Sequence, residues 1–125
     1  MSGIVFDAGA LIAFEKADRK VVAIVARALE RRADITIPAG VVGQVWRDGR
    51  RQVPLVRLLA SDIVTVEALD DTRARAAGQL CAVSHTSDVI DASVILCAQT
   101  HGAAVLTSDP DDLRRLDTKV RLVRV

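Results

Sequence analysis

Short apolar runs and helical segments take turns along this chain, and that alternation restricts its fold more than any other feature. "GIVFD" (3–7) and "DITIP" (34–38) are brief, rich in β-branched or aromatic residues, and closed by Asp7 and Pro38, as buried strands are. "DIVTVEAL" predicts a strand at 63–66, "AAVLTSD" a late strand and "VRLVRV" a terminal one. Helical patterns fill the gaps. "AGALIAFEK" is a short helix, and residues 20–32 set Val21, Val22, Val25, Ala28 and Leu29 on one stripe, opposite Arg27, Glu30 and Arg31. "AGVVGQVWRDG" predicts a helix closed by Gly49, and residues 53–60 a further short one. Residues 70–83 open on acids, as a helix N-terminus favours, and carry Ala74, Ala77, Leu80 and Cys81 on one face. A helix over 87–102 and the short "PDDLRRL" complete the series. Strands alternating with helices predict a three-layer α/β domain around a mostly parallel sheet, one domain over 1–125.

At 125 residues the chain can bury a core without disulfide or metal staples. Aromatic residues make up only 2%, so that core is built from Ala, Val, Leu and Ile, and an aromatic base-stacking platform is not expected. The net charge of +1 is no signature of a dedicated nucleic-acid binder. Cys81 and Cys97 lie in alanine-rich helical patterns, not in a Cys-x-x-Cys array, and read as buried reduced thiols. The first apolar run is broken by Asp7 and Glu15, and nothing approaches the roughly 18 apolar residues of a membrane span. The expectation is a soluble, cytoplasmic protein.

The acids are placed more tellingly than they are counted. Asp7 ends the first strand, Asp109 ends a late strand, and Asp91 lies in the first turn of the helix preceding that late strand. Ligands of parallel sheets gather beyond the carboxyl ends of the strands. A helix running antiparallel to them brings its N-terminus to the same rim. Asp7, Asp91 and Asp109 are therefore predicted to converge, with Asp112 one helical turn beyond Asp109. Each also has a local reading: a strand-end cap for Asp7, a dipole partner for Asp91, a turn or cap for Asp109. Asp88 and Asp111 are accounted for by capping and solvent. Carboxylates brought together repel unless a cation joins them. Oxygen-only donors select Mg²⁺ or Mn²⁺ over zinc, and such a site suits hydrolysis of a phosphodiester. No glycine-rich phosphate loop is present, and Gly9 stands where an Asp-x-Asp pair would need its second acid.

The segments "IVFDAGALIAF", "IPAGVVGQVWR" and "DVIDASVILCAQTHGAAVLTSDPDDLRRL" together resemble a PIN domain, and more closely the VapC-type ribonuclease toxins of toxin–antitoxin pairs. The arginine-rich "WRDGRRQVPLVRLL" resembles actinobacterial-type members. The resemblance implies a PIN-like α/β/α fold and a metal-dependent endoribonuclease acting on RNA. It also implies a VapB-type antitoxin partner and a homodimer. It makes Asp7, Asp91 and Asp109 metal-site acids, and Asp112 a further acid serving a second metal or water. Thr107 and Ser108 take the small-hydroxyl positions before the strand-end acid, where they orient water or carboxylates, or simply satisfy the strand end. The family's usual glutamate is replaced by Gln44, which can still ligate through its carboxamide oxygen but adds no charge. The change leaves open a second reading, a PIN-fold binding module weakened in catalysis. Arg47, Arg50 and Arg51 face RNA phosphates or antitoxin acids, or merely water at a helix end.

Overall fold

The computed structural model describes residues 3–125. Met1 and Ser2 of the predicted domain lie outside the described residues. Among the described residues, five strands form one sheet: β1 (Ile4–Phe6), β2 (Ile35–Pro38), β3 (Val64–Glu67), β4 (Ala104–Thr107) and β5 (Leu122–Arg124). Their spatial order is β3-β2-β1-β4-β5, and every pairing is parallel. Ile4 stands between Ile35 and Ala104, and Val5 between Thr36 and Val105. The central strands are the buried ones. Every residue of β2 and β4 is buried, whereas edge strand β3 is half-exposed.

The helices that connect the strands are α1 (Ala8–Glu15), α2 (Arg19–Arg31), α3 (Ala39–Val45), α4 (Val53–Leu59), α5 (Asp71–Ser84), α6 (Val89–His101) and α7 (Pro110–Leu116). Right-handed crossovers from β1 to β2 to β3 place α1–α4 on one face. The reversed path from β3 to β4 to β5 places α5–α7 on the other. Most helix contacts follow this division. Helix α1 touches α2, α3 and α4, while α6 touches α5 and α7 and crosses β1, β2 and β4; α3 also reaches across to α6. With the sheet on one side and helices on the other, α6 buries Ala92, Ser93, Val94, Ile95, Cys97 and Ala98. The middle of α6 is apolar on most sides, as a helix enclosed in this way is, while its ends are exposed.

The order of strands reverses between β1 and β4. Chain leaving β1 turns to one face and chain leaving β4 to the other, so a crevice opens beyond their carboxyl ends. The fold itself nominates that place for a site.

Three local expectations need correction. On α2, Val21, Val25 and Ala28 enter the core, but Val22 and Leu29 remain 41% and 46% exposed. The stripe is narrower than its apolar residues suggest. Strand β3 runs Val64–Glu67, one residue later than expected. Helix α3 stops at Val45 instead of continuing to Gly49. The side chain of Gln52 is the cause: its Oε1 accepts the N–H of Arg47 at 2.7 Å and of Asp48 at 3.0 Å, and its Nε2 donates to Val45 O at 2.9 Å. These groups are satisfied by a side chain in place of another helical turn. Cys81 and Cys97 are free and buried, as expected. Among the described residues, no single helix is long and apolar enough to cross a membrane.

Candidate active site

Asp7 follows β1 directly and is 8% exposed. Its N–H donates to Leu106 O at 3.2 Å, extending the β1–β4 ladder by one bond, and its Oδ1 accepts the N–H of Ala10 at 2.9 Å. The carboxylate thus caps α1 while facing the crevice. Burial pushes its pKa above the ordinary value, opposed by hydrogen bonds from Thr107 and Ala10 and assisted by the charge of Asp109.

Thr107, the last residue of β4, is fully buried, and its Oγ1 accepts the N–H of Asp109 at 2.9 Å. This overturns the capping reading of Asp109. It occupies the N-cap position of α7 but makes no side-chain capping bond. Its carboxylate is left for the cleft and for Asp112, whose pKa it raises by hydrogen bonding and by charge. The two hydroxyls expected to be alike therefore differ. Thr107 ties the strand-end acids together from below, whereas Ser108 is exposed and lies against Gly9.

Asp91 sits in the first turn of α6, whose N-cap is Asp88; the Oδ1 of Asp88 accepts the N–H of Asp91 at 2.9 Å. The capping role foreseen for Asp88 is thereby present. Half-buried Asp91 has its pKa pushed up to about 7, first by burial and then by the charges of Asp88, Asp112 and Asp7. A carboxyl displaced by burial and then by like charges marks an enclosed place where negative charge is crowded. Asp111 is exposed on α7, in keeping with its assignment to solvent.

A cleft of about 420 Å³ brings these groups together, with Asp7, Asp91, Asp109, Asp112, Gln44 and Arg47 among its lining residues. Gln44 reaches it because α3 packs closely on α6: a side chain at Gly40 would meet Ile90 Cδ1 at 2.3 Å. Arg47 is a component that the sequence left undecided among RNA, antitoxin and solvent. Its Nη1 donates to Gly43 O at 3.1 Å and Trp46 O at 2.6 Å, across the C-terminal turn of α3. Arg50 and Arg51 are exposed on the same loop and do not line the cleft. Among the described residues, no three His, Cys, Asp or Glu side chains stand as a ready-made metal cluster. The donor chemistry is nonetheless that of a hard divalent cation: carboxylate and carboxamide oxygens with no sulfur or imidazole.

Several solved structures share this architecture. VapC20 from Mycobacterium tuberculosis, described as a sarcin–ricin loop cleaving toxin, superposes with a TM-score of 0.70 at 19% identity, covering 98% of this chain and 100% of its own. VapBC2 from Rickettsia felis, bound to a DNA fragment from its promoter, gives 0.69 at 13% identity over 98% of both chains. FitAcB from Neisseria gonorrhoeae gives 0.66 at 17% identity, over 97% of this chain and 96% of the other. No curated protein matches the sequence. Residues 4–119, nearly all of the sheet and its helices, match the PIN domain family, and the chain belongs to that family.

Proposed function

We propose that this chain, acting as a single PIN domain, is a metal-dependent endoribonuclease toxin held inactive by a VapB-type protein antitoxin. The observation that carries the reading is the convergence of Asp7, Asp91, Asp109 and Asp112 on one cleft at the β1/β4 switch point. Asp7, Asp91 and Asp109 would hold a Mg²⁺ or Mn²⁺ ion, with Gln44 as a neutral oxygen donor beside them. The bound ion would lower the pKa of a water and stabilise charge building on a phosphoryl group. Thr107 orients Asp7 and fixes the backbone at Asp109, so the two strand-end carboxylates stay in register. Asp112, exposed at the rim and raised by Asp109, can accept a proton from water at its carboxylate oxygen. The structural neighbours support the biological setting, since VapC20 is described as a sarcin–ricin loop cleaving toxin and a further neighbour, from Klebsiella pneumoniae, as a toxin–antitoxin complex. The family resemblance further implies a homodimer that works on RNA in the cytoplasm.

Gln44 favours one competing reading, a PIN-fold binding module with little catalysis, because it removes a charge from the cleft. One experiment separates the two. Total RNA is incubated with the purified chain and with Asp109→Asn, with Mg²⁺, Mn²⁺ or EDTA, and new 5′ ends are sequenced. Discrete ends that need the ion and vanish in Asp109→Asn are expected. Identical RNA in every arm would leave only the binding module.

A further inference from the structure

The chain contains one tryptophan, and the fold spends it at the surface. Trp46 is 40% exposed, at the point where α3 ends and beside Arg47 of the acidic cleft. Its indole lies across Gly49, where an added Cβ would stand 2.9 Å from Cζ2 and 3.1 Å from Cη2. Only a glycine allows that approach. The loop that carries the ring is also fixed. Gln52 holds the N–H groups of Arg47 and Asp48, Asp48 Oδ1 accepts the N–H of Arg50 at 3.0 Å, and Arg51 N–H closes on Asp48 O at 3.0 Å. Arg47 makes no ion pair among the described residues, although four aspartates line the same cleft. Its Nη1 is engaged by backbone carbonyls, which hold it at the cleft without neutralising the acids.

We propose that the loop 46–52 grips the RNA substrate at an unpaired nucleotide: Trp46 stacks on its base and Arg47 holds a neighbouring phosphate at the mouth of the acidic cleft. This rests on the ribonuclease reading and narrows it to single-stranded or looped RNA. An aromatic face accepts any unstacked base, whereas bases inside a duplex are already stacked on each other. A guanidinium supplies the counter-charge that an acidic cleft lacks for a polyanion. The scarcity of aromatics argued against a stacking platform of several rings. One fixed ring beside a cleft asks for only one base.

With no tyrosine and a single tryptophan, intrinsic emission reports on Trp46 directly. The full chain in EDTA is titrated with an uncleavable 2′-O-methyl stem–loop oligonucleotide and with a blunt duplex of the same composition. Quenching by the stem–loop but not by the duplex is expected. By anisotropy of a labelled stem–loop, Trp46→Ala weakens binding roughly tenfold and Trp46→Phe much less. Arg47→Ala lowers the slope of log affinity against log salt by about 0.7, the loss of one single-strand phosphate contact. Equal quenching by duplex and stem–loop, native affinity in Trp46→Ala, or absence of binding overturns the proposal. So does emission that changes with protein concentration and not with RNA, which would assign the ring to a second copy of the chain. Cleavage is assayed separately with Mg²⁺ and Mn²⁺. Quenching without cleavage would remove the ribonuclease reading and leave the grip; cleavage with unquenched emission would do the reverse.

Discussion

Gly9, in the first turn of α1, lies so close to Ser108 that a methyl group there would stand 1.8 Å from Oγ and 2.8 Å from Cβ. The contact locks the start of α1 to the end of β4, and so sets the spacing between Asp7 and Asp109. Gly9→Ala is expected to destabilise the protein by about 1–3 kcal/mol, as overpacking does. Adding Ser108→Gly should recover much of that loss, because it removes the two nearest atoms. Urea denaturation of the four members of this cycle gives the coupling directly. Simple additivity would mean that the contact relaxes at no cost.

Stability in EDTA should fall as pH rises from about 4 to about 7. Asp91 has a folded pKa of about 7 against an ordinary 3.8, so in this range the folded state holds a proton that the unfolded state has released. Its stabilising contribution is complete below 3.8 and lost as pH rises through 7. Asp7 is raised and acts in the same direction. Asp62 and Asp117, both lowered, act oppositely and only at more acid pH, where they lose their hydrogen-bonding partners. Thermal melts from pH 4 to 8 should show the fall in the native chain and a flatter profile in Asp91→Asn. At pH 8, Mn²⁺ should raise the melting temperature of the native chain more than that of the variant.

Gln44→Glu adds a carboxylate to a cleft already crowded with four. Without an ion, the new charge raises the pKa of Asp91 further and lowers stability at pH 8. With Mn²⁺ the sign reverses, and calorimetry should show affinity strengthened about tenfold or more. Unchanged Mn²⁺ affinity would mean that position 44 takes no part in holding the ion.

Cys97 should resist alkylation in the folded protein. It is 2% exposed, and burial together with the adjacent Glu67 carboxylate pushes its thiol pKa up to about 12. The thiolate that reacts is therefore absent at neutral pH. The Glu67 carboxylate is itself held at both oxygens: Cys97 donates to its Oε2, and His101 Nε2 lies 2.9 Å from its Oε1. Mass spectrometry after iodoacetamide at pH 8 should find Cys97 unmodified until denaturant is added.

The parts of this protein legible in its sequence are those specified by neighbours along the chain. Strand β1 could be placed from "IVF", α6 from its capping Asp88, and the rim of acids from the order in which strands and helices alternate. What escaped notice depends on partners further away. The end of α3 is set by Gln52, a side chain seven residues beyond Val45, and no hydrophobic period records it. Asp109 has the local grammar of a cap, yet Thr107 takes its N–H and leaves its carboxylate uncommitted. The exposure of Val22 and Leu29 shows the same limit, since a stripe states which residues are apolar and not how far the next helix reaches.

The reversal of strand order pairs β1 with β4, two strands far apart along the sequence. One wall of the cleft ends at Asp7, after β1, and another begins at Asp109 and Asp112, after β4. The acids therefore meet only once β1 has paired with β4, and losing either strand removes a wall. The completed sheet is the switch that turns scattered acids into a site.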